Sequence, residues 1–84
     1  MYCVLVEVFE FSFHYSWVAS RYMLPDISTN LETVKRLIEE DAVVNNLEEC
    51  EWDTCDGCET YEGYQEDQFV YKRRYTILKL NVNP

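Results

Sequence analysis

"STNLETVKRLIEEDAVVNN", residues 28–46, is the clearest helical stretch of this chain, and strand-like runs flank it on both sides. Leu31, Val34, Leu37, Ile38 and Ala42 recur at the three- and four-residue intervals that share one side of an α-helix. Glu32, Lys35, Arg36 and Glu39 fall on the other side, with opposite charges four residues apart. Thr29 followed by Glu32 fits a capping box, in which side chains satisfy the free amides of the first turn. Asn45 or Asn46 suits the left-handed residue that stops a helix. One amphipathic helix needs one apolar surface to lie on.

The flanking runs supply it. In residues 2–13, Tyr2, Val4, Val6 and Val8 alternate with Cys3, Leu5, Phe9, Phe11 and Phe13, interrupted by Glu7. A strand that is apolar on both faces is expected to be interior and covered on both sides. Residues 16–24, "SWVASRYML", read as a second strand, and Pro25 and Asp26 end it. Residues 47–52 start a short strand, and 68–82 form a long one. Its apolar positions are odd at Phe69, Tyr71, Tyr75 and Ile77, then even at Leu78, Leu80 and Val82. A switch of that kind predicts a bulge, or a strand that outlasts the body it packs on. The expected fold class is α+β: a small antiparallel sheet, ββαββ in type, with one helix packed on one face. The second face would then carry surplus aromatic side chains, which favours a contact surface.

A chain of 84 residues with 48% hydrophobic side chains has material for one domain and is too apolar for a disordered tail. Such a chain buries roughly 60% of its surface on folding. No run approaches the length of about 20 apolar residues that spans a bilayer. "MYCVLVEVFEF" lacks the early bases and small-residue site of a secretory signal. The expectation is a cytoplasmic protein, no membrane contact, and cysteines kept as thiols or metal ligands.

Charge is the most informative feature. The net charge is −9, and residues 48–67, "EECEWDTCDGCETYEGYQED", account for it. Glu48, Glu49, Glu51, Asp53, Asp56, Glu59, Glu62, Glu66 and Asp67 lie there without one base. Elsewhere Glu7, Glu10, Asp26, Glu32, Glu39, Glu40 and Asp41 are matched by Arg21, Lys35, Arg36, Lys72, Arg73, Arg74 and Lys79. Such a window repels nucleic acid and anionic membrane and attracts a basic protein. Gly57 and Gly63 read as turn points of a loop or hairpin. Trp52, Tyr61 and Tyr64, interleaved with the carboxylates, read as interface anchors. Together with the nine acids they form the expected partner-binding set.

Cys50, Cys55 and Cys58 give C-x4-C-x2-C, and a C-x2-C turn presents two sulfurs to one ion. Cys3 or His14 would complete a structural zinc site. The alternative is a buried Cys3 with free thiols on the loop, or a loop disulfide. Redox chemistry at Cys55 and Cys58 is disfavoured, because neighbouring carboxylates raise a thiol's pKa. A lone His14 and two glycines allow neither an obvious catalytic pair nor a phosphate-cradling loop. Lys72, Arg73 and Arg74 lie beside Tyr71 and Tyr75, but in a strand Arg73 points away from its neighbours. The expectation is that they pair with acids across a hairpin.

The resulting reading is a non-enzymatic acidic binding protein that needs no cofactor and does not itself bind nucleic acid. Its 48–67 face would occupy a basic surface of a nucleic-acid-handling protein. In size and charge it is like the small acidic inhibitors with which phages block host defence or transcription, an analogy that no motif supports. A zinc-stabilised adaptor and a homodimeric accessory protein are the alternatives.

Overall fold

Strand β1 (Tyr2–Ser12) turns back into β2 (Tyr15–Met23), helix α1 (Leu31–Val44) follows, and three strands complete the chain: β3 (Glu48–Cys55), β4 (Cys58–Glu66) and β5 (Val70–Lys79). The computed structural model describes residues 1–12, 15–25, 29–55, 57–66 and 70–79. The strands form one antiparallel sheet in the order β2-β1-β5-β4-β3. The expected α+β class is what the chain adopts, with one strand more than a ββαββ count. The extra strand comes from the acidic window, which is a β3–β4 hairpin and not a loop.

Helix α1 begins one residue later than a Thr29 cap requires. Asn30 is the N-cap, and its Oδ1 accepts from the amides of Glu32 at 2.9 Å and Thr33 at 3.4 Å. Glu32 therefore stands at the second helical position and cannot close a capping box. At the other end Asn46 takes a left-handed φ of 56°. Its amide donates to the Val43 carbonyl, and the Leu47 amide donates to that of Ala42, both at 3.0 Å. That is a Schellman stop, and it turns Leu47 inward onto the sheet.

Val34, Ile38 and Ala42 of α1 are buried against Val4 and Val6 of β1 and Tyr75 and Ile77 of β5. The register explains the match: Val6 lies opposite Tyr75, and Val4 opposite Ile77. Leu31 packs at the rim, and Leu37 is half-buried. Strand β1 is interior, as its two apolar faces suggest, although the helix covers one face only. Cys3 is buried on the other face, where its register partner is Leu78. This pairing accounts for the even-numbered Leu78. Over its described length β5 pairs with β1 and β4 without a register shift, so the expected bulge is not there. Phe69, Leu80 and Val82 lie outside the described residues.

Bulges occur instead in the pairings of the two edge strands. The β1–β2 register shifts between Val8 and Phe9, leaving Ala19 as the extra residue of β2. In β3, Glu49 and Cys50 together oppose Gly63, and Glu49 takes a φ of 53°. Gly57 has a left-handed φ of 78° in the β3–β4 turn. Gly63 is not a turn residue. It lies inside β4 beneath the chain leaving the helix, where an added Cβ would stand 2.5 Å from Cys50 Sγ and 2.9 Å from Leu47 Cβ. Gly63→Ala is accordingly expected to lower stability by about 1–3 kcal/mol, read from the urea midpoint. An unchanged midpoint would show that Leu47 and Cys50 can move aside freely.

Candidate functional site

Alternation along the hairpin sorts the acidic window onto two faces of the sheet. Trp52 lies opposite Tyr61, and Thr54 opposite Glu59, on the helix side. Glu51 lies opposite Glu62, Asp53 opposite Thr60, and Glu48 opposite Tyr64, on the open side. Two of the three aromatics expected as anchors are thus used within the fold.

Trp52 stacks on Tyr61 with centroids 4.6 Å apart, and Tyr61 reaches Tyr75 at 6.4 Å. The indole Nε1 donates to Glu39 at 3.1 Å, and the Lys35 ammonium lies 5.2 Å from the indole ring centroid. Lys35 also pairs with Glu59 at 3.1 Å. Lys35 and Glu39 therefore clasp the hairpin and do not simply face water. Burial, then the hydrogen bond with Cys50, the charge at Cys50 and that of Glu39, push the Tyr61 hydroxyl up to about 12.

On the open side a row of charges crosses the sheet. Arg21 bonds Glu7 at 2.9 Å, while Arg74 at 2.6 Å and Lys72 at 3.1 Å both hold Glu62. Burial pushes the Glu62 carboxyl up, but the bonds and charges of Arg74 and Lys72 outweigh it and hold the group below the usual carboxylate range. Phe9 has Arg74 and Lys72 over its ring at 5.0 and 5.7 Å. Lys72 and Arg74 make the expected pairing with an acid across the hairpin, and Arg73 does not. Arg73 projects to the helix side, as alternation requires. There its guanidinium donates to the Tyr22 hydroxyl at 2.6 Å and lies 3.8 Å from Asp41.

Asp41, outside the acidic window, ties the end of the helix to β5. It accepts from the Tyr75 hydroxyl and, at 3.2 Å, from Asn45 Nδ2. Its position three residues after Ile38 and one before Ala42, on the sheet side of the helix, is the clue the sequence offered.

With these pairs made, a run of carboxylates stays uncompensated on the outer strand. Among the described residues no ion pair reaches Glu48, Glu49, Glu51 or Asp53, all exposed on β3. Asp53 Oδ1 accepts the Thr54 amide at 2.8 Å and still faces solvent. Tyr64 is 37% exposed on the same open face, beside Glu48 in register. Glu66 is placed by register opposite Val70, while Asp56 and Asp67 lie outside the described residues. Carboxylates two residues apart on a strand stand about 6.8 Å apart, or two steps of the 3.4 Å repeat of a nucleic-acid strand.

The cysteines are dispersed. Cys50 lies on the helix side against Gly63, and Cys58 follows the turn at the far end of β4. Five strand steps separate Cys58 from Gly63, a span of about 16 Å, whereas zinc holds each sulfur at about 2.3 Å. Cys3 lies in β1, beyond β5 and β4 and on the opposite face from Cys50. Cys55 is the register partner of Cys58. His14 is outside the described residues. Among the described residues no three His, Cys, Asp or Glu side chains come together as a metal-holding group. Compared with protein-family models and with curated proteins, the chain shows no match.

Proposed function

We propose that this chain is a non-enzymatic acidic binding protein whose β3 edge occupies a basic, nucleic-acid-handling surface of a target protein and blocks it. The observation that carries the reading is the exposed, unpaired set Glu48, Glu49, Glu51 and Asp53 on an edge strand, in a fold that pairs Glu7, Asp41, Glu59 and Glu62 internally. The four unpaired carboxylates stand together on one exposed strand, where they steer a basic partner. Tyr64, half-exposed within this face, is the anchor of the set. Trp52 and Tyr61 support the hairpin from beneath.

The test is capture of basic proteins from a cell extract at low and high salt, followed by competition with DNA or RNA. Glu51→Lys with Asp53→Lys is expected to slow association about tenfold or more and to flatten its salt dependence. Glu62 is unsuitable for such a reversal, because Arg74 and Lys72 already hold it. Binding that ignores salt, nucleic-acid competitor and these two substitutions would remove charge mimicry as the function.

A further inference from the structure

The other edge of the sheet has a bulge, as β3 does, but lacks the carboxylates that guard β3. Strand β2 spans nine residues, all exposed, and contains no acid, no lysine and no proline. Its one charge, Arg21, is already spent on Glu7 at 2.9 Å. Tyr15 is 74% exposed, Met23 46%, Trp17 44% and Tyr22 40%. An edge of this kind offers a row of backbone donors and acceptors to another strand.

We propose that β2 pairs antiparallel with β2 of a second copy about a two-fold axis, giving a sheet of ten strands. This goes beyond the acidic-edge reading and rests on different residues. Charge selects the occupant. Pairing β3 with β3 would oppose Glu48, Glu49, Glu51 and Asp53 to the same four groups. Pairing β2 with β3 is heterologous and grows without closing. Pairing β2 with β2 closes and leaves both acidic edges outermost, nine strand spacings apart. That is about 43 Å, several times the screening length of about 8 Å at physiological salt.

The bulge fixes a register that suits the side chains. Because Ala19 is the extra residue, Tyr15, Trp17, Ser20 and Tyr22 share the helix side, while Ser16, Val18, Arg21 and Met23 share the open side. Face-matched antiparallel pairing then sets Tyr15 against Tyr22, Trp17 against Ser20, and Ser16 against Arg21. Aromatic meets aromatic, and the largest side chain meets a small one. The strand and its side chains offer on the order of 600 Å² per copy, the low end for a specific interface. The dimer should therefore be concentration-dependent.

Sedimentation equilibrium of the full chain, from low micromolar to a few hundred micromolar, tests this. The mass is expected to rise from 10.1 kDa to twice that value. Trp17→Lys and, independently, Tyr15→Lys should each hold it at the monomer value while far-UV circular dichroism stays unchanged. Glu51→Lys with Asp53→Lys should leave the dimer intact, so the two proposals fail separately. A monomer throughout, a dimer that survives both lysines, or growth past two copies would each overturn it.

Discussion

Tyr75→Ala is expected to cost about 3–5 kcal/mol, a large part of the roughly 5–15 kcal/mol that holds a domain folded. The ring is fully buried in the central strand, touched by Val6 across the β1–β5 register, by the helix, and by Tyr61 in the aromatic ladder. Truncation empties the junction of all three. Tyr75→Phe separates packing from hydrogen bonding. It keeps the ring and removes the donor to Asp41, leaving that carboxylate with Asn45 and the more distant Arg73. The expected cost is about 1–2 kcal/mol. The pH dependence has a definite sign. Burial, then the bond to Asp41 and its negative charge, raise the Tyr75 hydroxyl above its ordinary value despite the opposing effect of Arg73, and Tyr61 is pushed up to about 12. The fold thus favours the neutral phenols. Their contribution is fully present below the unfolded pKa of about 10 and is lost as pH rises above it. Urea midpoints measured through the alkaline range should fall, and fall less in Tyr75→Phe. A wild-type midpoint flat to pH 12 would place both hydroxyls in water.

How far the fold was legible depends on which pattern each segment displayed. The helix was plain because Val34, Ile38 and Ala42 repeat with its period. Its start was misplaced because Thr29 and Asn30 are both competent caps, and only the backbone decides between them. Composition left residues 48–67 open between a loop and a hairpin, since Glu, Asp and Gly are poor strand residues. Yet alternation was present: Cys50, Trp52 and Thr54 on one strand are separated by Glu51 and Asp53, and Tyr61 and Gly63 on the next by Glu62. Read at a period of two, those positions form a covered face, and Trp52 and Tyr61 belong to it. Composition drew attention to the charge and away from the period. In β5 the parity change at Leu78 reflects burial against Cys3 on the second face, which sequence pattern alone cannot distinguish from a bulge. The candidate site was legible as a charge and not as a surface. Which carboxylates stay free depends on Lys72, Arg74 and Lys35; strand register brings the first two to Glu62, and helix packing brings Lys35 to Glu59.

Ile38→Ala is the second large effect, about 2–5 kcal/mol by loss of a buried side chain and the cavity it leaves. Ile38 is fully buried midway along α1, between Val34 and Ala42, where the helix crosses Val6 and Tyr75. Its neighbours are anchored in strands, so the space cannot close readily and the cost should lie high in that range. Two other helix positions calibrate the measurement. Arg36→Ala, at an exposed site, should stay within about 0.5 kcal/mol. Lys35→Ala should fall between the two, near 1 kcal/mol, because the ammonium pairs with Glu59 and lies over the Trp52 ring. The graded series distinguishes three roles for one helix: Ile38 fills the core, Lys35 clasps the hairpin, and Arg36 is solvated. Equal costs at Ile38 and Arg36 would overturn the packing of α1 on the sheet. Equal costs at Lys35 and Arg36 would show that the Lys35 contacts with Glu59 and Trp52 add nothing to stability.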